Sequence, residues 1–408
     1  MILFKLAFRN IFRNFRRTFF TMIAIAVGLA LLITLDSYMK GLDVKTFEKI
    51  IELETGHIKV FPAGYKNDKD NLPLDDLISP KKVIPIFLSD PDVAGITPRV
   101  NFRITISNGM DQFPGIGIGM DPAQDGKVFT LKQWVSSGEY LSSNDEAMLV
   151  GIDLAKDFSV KVQDSLTVLC RTKYSTFQAL DLVIKGTIKS NNYAIDMNAI
   201  IIPLSLAQSS LDLGEGVTEI DIKLKDPSKI DAFKKKYEGK LSGLELWTWK
   251  EVSEETIEHS ESHARGKMVI FAVLIIIALI GISNTILINV FERTREIGMM
   301  AAMGMKRNDI VKLFIIEGTM IGFIGSIAGC LAGYLLVAFW ATRVGFDMDF
   351  MMRQFGNIGY RTGLFLGAWN PAIFLNCFLF GVIVSALTSL YPALVAAKMQ
   401  PTEALRKY

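Results

Sequence analysis

The sequence has little cysteine, no excess of one charge and no nucleotide-cradling loop. Its three cysteines cannot staple a domain: Cys170 stands alone between residues 36 and 267, while Cys330 and Cys377 sit in apolar runs, so no disulfide forms within that segment. Lys and Arg number 44 against 42 Asp and Glu, a formal charge of +2, which argues against a protein that coats nucleic acid. Half of the residues are hydrophobic, which argues against a disordered chain. A G-x-x-x-x-G-K-[ST] loop is missing, because Gly126-Lys127, Gly239-Lys240 and Gly266-Lys267 have neither the upstream glycine nor the following hydroxyl. The chain therefore shows no ATPase of its own.

What it has instead is four long uncharged runs. Thr18 to Leu35, Met268 to Phe291, Gly318 to Thr342 and Thr362 to Ala397 hold 18, 24, 25 and 36 residues. Each reaches the roughly 18 to 20 residues that a helix needs to cross a bilayer. Pro371 and Pro392 are expected to bracket the membrane part of the last run, since proline suits a first helical turn and not an interior. No Asp, Glu, Lys, Arg or His interrupts these runs, which removes the usual ion relay of a secondary transporter. Asn284 and Asn376 are the polar exceptions and read as bonds between helices. In the third run Gly318, Gly322, Gly325, Gly329 and Gly333 recur at three and four, a ridge that lets helix backbones approach closely.

Basic residues set the orientation. Lys5, Arg9, Arg13, Arg16 and Arg17 precede the first span, Arg293, Arg295, Lys306, Arg307 and Lys312 lie between the second and third, and Lys398, Arg406 and Lys407 follow the fourth. With four spans all three groups fall on one side, the cytoplasm by the positive-inside rule, and both termini with them. The first run exceeds a usual signal core and Leu35-Asp36-Ser37-Tyr38 offers no small-residue cleavage site, so an uncleaved anchor is expected. Before it, Phe4, Phe8, Phe12, Phe15 and Phe19 repeat at helical spacing with the basic residues one position behind, the pattern of an interfacial amphipathic helix.

Between the first two spans lie about 230 residues, enough for one or two domains. The far end reads strand (Glu219 to Leu224), helix (Pro227 to Tyr237), strand (Leu244 to Trp249). The near end has His57 to Phe61, a helix near Pro80 to Leu88, then Ile96 to Ser107 and Phe113 to Met120. Short strands such as Ser165 to Arg171 and Leu182 to Ile188 lie between. A split α/β domain with a β-rich insertion is the simplest arrangement. Polar helices are expected from Ser37 to Glu54 and from Glu251 to Lys267, a stalk at each membrane-facing end.

Most candidate chemistry dissolves on inspection. Gly115, Gly117 and Gly119 alternate in a strand, which reads as close packing rather than nucleotide binding. His259 and His263 share a helical face at i and i+4, but HSESH lacks the HExxH pattern and the stretch is highly charged, so no metal is expected. The informative stretch is ERTREIGMMAAMGMKRNDI, Glu292 to Ile310. Its interleaved acids and bases, Met-rich run and Gly304 break suit docking into a soluble partner better than contact with headgroups.

Together, LAFRNIFRNFRRTFFT (Leu6 to Thr21), FERTREIGMMAAMGMKRNDI (Phe291 to Ile310) and YPALVAAKMQPTEALR (Tyr391 to Arg406) resemble ABC-transporter permeases of the MacB, FtsX and lipoprotein-releasing (LolC/LolE-like) type. The resemblance implies four transmembrane helices and a large extracytoplasmic α+β domain, a split Porter-like part with a Sabre-like insertion. The implied order is a cytoplasmic helix (1–17), first span (18–40), first Porter-like part (41–122), insertion (123–215), second Porter-like part and stalk (216–266), second span (267–291), coupling segment (292–316), third span (317–342), outer loop (343–361), fourth span (362–397) and tail (398–408).

It also implies two copies of a cytoplasmic ABC ATPase that binds ATP and Mg, a second permease, identical or sister, and no cofactor or catalytic residue in this chain. The expected docking residues are Glu292, Arg293, Thr294, Arg295, Glu296, Ile297, Gly298, Met305, Lys306, Arg307 and Asp309. ATPase closure would then move the outer domain and its cargo rather than open a pore. A fused ATPase is lacking, unlike in the large MacB exporters, and the outer domain exceeds that of FtsX-type division regulators. Both differences, with GLDVKTFEKIIELETGHIKVFPAGY from Gly41 to Tyr65, favour the lipoprotein-releasing subgroup in a bacterial inner membrane. Export of peptides, antibiotics or other amphiphiles through a periplasmic adaptor, and non-transporting regulation of an outside hydrolase, are the alternatives.

Overall fold

The computed structural model describes residues 2–13, 15–65, 69–190, 192–254, 257–258, 290–292, 294–344, 346–347 and 364–398, with isolated positions between 268 and 288. The chain divides into two compact units: a helical one of residues 1–44, 259–347 and 364–408, and a β-rich one of residues 45–258 and 348–363.

The chain opens with helices α1 (Ile2–Arg13) and α2 (Phe15–Ile50). Residues 15–17, expected in the interfacial helix, belong to α2, since nothing in Phe15-Arg16-Arg17-Thr18 breaks a helix. The apolar run and the polar stretch after it form one helix, which ends in a π-helical turn, Ile51–Thr55. Gly56 closes that turn at φ +60°, a left-handed conformation that favours glycine, and its N–H donates to the Ile51 carbonyl at 3.0 Å.

In the β-rich unit, strands β1 (Ile58–Pro62), β2 (Val93–Ser107) and β3 (Gln112–Met120) precede β4 (Val135–Gly138), β5 (Ala147–Gly151), β6 (Ser165–Arg171), β7 (Phe177–Ile188), β8 (Ala199–Pro203), β9 (Glu219–Leu224) and β10 (Leu244–Thr248). All ten belong to one sheet, which begins with four antiparallel strands in the order β10-β1-β9-β2. Helices α3 (Pro80–Leu88) and α4 (Ile230–Tyr237) supply Phe87, Phe233 and Tyr237 to a core with Val60, Ile220, Ile222 and Leu246 of these strands. Burial of these side chains drives the pairing, each worth roughly 1.5–3 kcal/mol.

The long strand β2 joins two parts of one ten-stranded sheet. Its first half, Val93 to Arg99, pairs with β9, and its second half pairs with β3 and β6. From there the pairings β3-β8, β8-β5, β5-β7 and β7-β6 return to β2 and close a six-stranded ring. Closure removes free edges. A Cβ at Gly117 would overlap the ring of its cross-strand partner Phe102, and one at Gly119 would overlap the Ala207 side chain, so the alternating glycines serve close packing.

The alternation in β9 suggests one face in water, but both faces are buried. Lys59 of β1, Arg99 of β2, and Glu219 and Asp221 of β9 lie side by side on the face away from α3 and α4. Lys59 Nζ stands 2.5 Å from Glu219 Oε1 and 3.1 Å from Asp221 Oδ1. Arg99 grips Asp125 with Nε at 2.8 Å and Nη2 at 3.1 Å, and its guanidinium lies 3.4 Å above the Phe129 ring. Burial and then the neighbouring Glu219 carboxylate push Asp221 up to about 8.

The helical unit continues with α5 (Thr294–Ala302), α6 (Arg307–Leu336), extended by a π-helical turn Val337–Ala341, and α7 (Pro371–Lys398). Among the described residues three helices are long and apolar enough to cross a membrane: Thr18–Thr55, Arg307–Ala341 and Pro371–Lys398. The expected span 267–291 lies mostly outside the described residues, as do His259 and His263. Pro371 does open α7, but Pro392 does not end it: the helix runs on to Lys398 with Ala393, Ala396 and Ala397 buried. Packed neighbours let an apolar helix keep an internal proline.

The glycine ridge faces two neighbours. A Cβ at Gly325, Gly329 or Gly333 would press on Ile25, Leu29 or Ile33 of α2, whereas Gly322 meets Ser385 of α7 and Gly318 is buried. Two acids just outside the uncharged runs are also covered. Asp36 accepts a hydrogen bond from Asn370 Nδ2 at 2.7 Å, and Glu317 is buried on α6.

Candidate coupling site

The segment from Glu292 to Asp309 is a helix, a tight turn and the start of a second helix. Thr294 folds its hydroxyl back onto the Phe291 carbonyl at 2.7 Å. The helix stops at Ala302 because Gly304 takes φ +93°, and the Met305 N–H donates to the Met300 carbonyl at 3.0 Å, a Schellman-type cap. Lys306 then enters α6 in an extended conformation, with Asp309 in the first turn, where a negative charge suits the helix dipole.

The expected docking residues separate into two groups. Glu292, Lys306 and Arg307 are exposed. Ile297 and Gly298 are buried, and Thr294, Glu296, Met305 and Asp309 are partly covered. Ile297 joins Val290, Ile11 of α1 and Ile310 and Phe314 of α6 in one apolar cluster. Glu296 Oε2 accepts a hydrogen bond from Arg13 Nη2 of α1 at 2.8 Å, so this acid is engaged within the chain. Arg293 and the Arg295 side chain lie outside the described residues.

Two residues left out of the expected set stand out. Met303 is 80% exposed at the turn, and Met299, one helical turn earlier, is 46% exposed. Both lie in the Met-rich run whose apolar character was visible in the sequence; what the sequence did not reveal is that Ile297 turns inward and these two outward. The exposed surface is thus two flexible thioether side chains beside Lys306 and Arg307, an apolar and basic patch that can adapt to a groove on another protein. No group of three or more metal-ligating side chains occurs among the described residues.

Family models match both parts of the chain: a MacB-like periplasmic core domain over residues 18–239 and an FtsX-like permease C-terminal domain over residues 268–401. The lipoprotein-releasing system transmembrane protein LolC of Xylella fastidiosa is 24% identical over 406 residues, covering 95% of this chain and 92% of that one. The macrolide export ATP-binding/permease protein MacB of Brucella melitensis is 26% identical over 389 residues, covering 89% of this chain but 57% of that longer protein. The crystal structure of the periplasmic region of MacB from Actinobacillus actinomycetemcomitans aligns with 51% of this chain and 95% of that one, at 12% identity and a TM-score of 0.36. This chain belongs to the ABC-transporter permeases that join a MacB-like periplasmic core domain to an FtsX-like permease C-terminal domain.

Proposed function

We propose that this chain is the permease subunit of an ATP-driven complex that extracts lipoproteins from the outer leaflet of an inner membrane. The observation that carries this reading is the likeness to LolC of Xylella fastidiosa, which runs through 95% of this chain and 92% of that protein. A separate cytoplasmic ATPase, in two copies, would bind ATP and Mg, because this chain has no phosphate-cradling loop. A second permease, identical or sister, would complete the pair. The basic flanks of the apolar runs support cytoplasmic termini, with the β-rich unit on the other side of the membrane.

In this reading the ATPase meets the segment from Glu292 to Asp309 through Met299, Met303, Lys306 and Arg307. Its closure is passed along α2, which is unbroken from Phe15 to Ile50. Work is then done on cargo outside the bilayer, so no charged relay through it is needed. The likeness to MacB of Brucella melitensis supports a second reading, export of an amphiphile.

Purification with native partners in mild detergent, followed by mass spectrometry of proteins and acylated polypeptides, separates the two. An ATPase with a bound lipoprotein supports extraction; an ATPase with a periplasmic adaptor and no lipoprotein moves the reading to export. Met303→Asp combined with Arg307→Glu should abolish ATPase co-purification while leaving membrane insertion intact, and unchanged co-purification would remove this surface from the docking site.

A further inference from the structure

Helix α1 has two faces with different occupants. Ala7 and Ile11 are buried, and Ile11 shares its cluster with Ile297 of α5 and with Ile310 and Phe314 of α6. On the other side Phe4, Phe8 and Phe12 are half exposed, and Phe15 and Phe19 continue the stripe onto α2. Lys5, Arg9 and Arg16 are also exposed and, among the described residues, pair with no carboxylate. Arg13 differs from them. Its guanidinium turns to α5 and donates to Glu296 at 2.8 Å, so Arg13 is spent inside the chain while, among the described residues, Lys5, Arg9 and Arg16 are free.

An exposed row of aromatic rings beside unpaired cations fits an anionic lipid surface: the rings enter the headgroup boundary, and each cation near the surface adds about 1 kcal/mol. The same short helix therefore touches two things at once, the leaflet through one face and the coupling helix through the other. We propose that α1 makes the coupling segment responsive to anionic lipid: Lys5, Arg9, Arg16 and the phenylalanines seat α1 on the leaflet, and Ile11 and Arg13 hold α5 to it. Arg13 is a positioning residue, acting through Glu296. The consequence for ATP turnover rests on the docking reading above; the contact itself does not.

The test is amide hydrogen exchange of the full-length chain in nanodiscs of phosphatidylcholine, alone or mixed with phosphatidylglycerol. Phosphatidylglycerol should slow exchange in Thr294–Ala302 by about two- to fivefold, the range of a half-exposed ion pair. Arg13→Glu should remove that slowing, and Arg13→Glu with Glu296→Arg should restore it, which a residue that merely fills space would not do. Lys5→Gln/Arg9→Gln/Arg16→Gln leaves the clasp intact and should abolish only the lipid dependence, so the proposal stays testable if Arg13→Glu fails to fold. Exchange in α5 that ignores lipid charge in the unaltered chain, or a double reversal that behaves like the single one, overturns it. Failure of the docking reading shows separately, as an ATPase that does not co-purify with the unaltered chain.

Discussion

In the β-rich unit Lys59, Arg99, Glu219, Asp221 and Asp125 are all less than 5% exposed, whereas in the helical unit glycine and serine stand where helices meet: Gly325, Gly329 and Gly333 against α2, and Gly322, Ser326, Gly381 and Ser385 between α6 and α7. The contrast follows from the solvent of each unit. A domain in water gains by removing apolar surface, and after α3 and α4 have covered one face of the sheet it can bury a charged face only if each charge finds a partner. Helices in lipid gain nothing by hiding leucine from leucine-like tails, so Phe20, Leu331 and Leu387 stay outside and the small residues pack. Each unit should therefore fail by a different route.

The largest effect is expected at Arg99. Arg99→Met removes the cation that grips Asp125 and leaves that carboxylate buried without it, which should cost about 3–5 kcal/mol. The Lys81–Glu215 pair is shorter still, 2.6 Å, but exposed, so Lys81→Ala should cost less than about 1 kcal/mol. Thermal unfolding of the full chain in detergent compares the two. Equal losses would mean that burial is not what makes the network costly to break.

The second effect belongs to the helical unit. A Cβ at Gly329 would already lie 2.9 Å from Leu29 Cβ and 3.0 Å from the Ala26 carbonyl oxygen, so Gly329→Leu must push α6 away from α2. Overpacking of this kind costs about 1–3 kcal/mol. The same substitution at Gly28, whose Cβ would meet nothing within 4 Å, should be nearly neutral. If both behave alike in a detergent melting assay, glycine is not setting the helix spacing.

These contrasts were only partly legible in the sequence. Three of the four apolar runs, strand Ser165–Arg171, strand Glu219–Leu224 and helix Pro80–Leu88 were, because each rests on local periodicity and local breakers. The buried charge was not. Alternation in Glu219-Ile-Asp-Ile-Lys-Leu looks the same whether the polar side faces water or a buried Lys59, and Lys59 lies 160 residues away along the chain. Glu296 hid its role for the same reason, since Arg13 is 283 residues distant. Pro392 misled because a breaker rule learned from helices in water was applied to one packed in an apolar bundle.

The smallest effect, and the one that sharpens the comparison most, is a pH slope confined to the β-rich unit. Burial and Glu219 raise Asp221 to about 8, far above its ordinary value of 3.8, so between those limits the folded chain holds a proton that the unfolded chain releases. The stabilising contribution is complete below pH 3.8, shrinks as pH rises and is lost above about 8, by at most about 1.4 kcal/mol per pH unit. His57, held below 6.5 by burial and by Lys223, acts in the opposite direction, and its contribution fades as the unfolded imidazole loses its proton above pH 6.5. The window from pH 7 to 8 therefore isolates the carboxyl, apart from Glu54, which burial also raises. Asp221→Asn keeps the shape and removes the proton, so its melting temperature should fall less than that of the unaltered chain across this window. A parallel fall in both would assign the slope to Glu54 or to another group and leave Asp221 ionised beside Lys59.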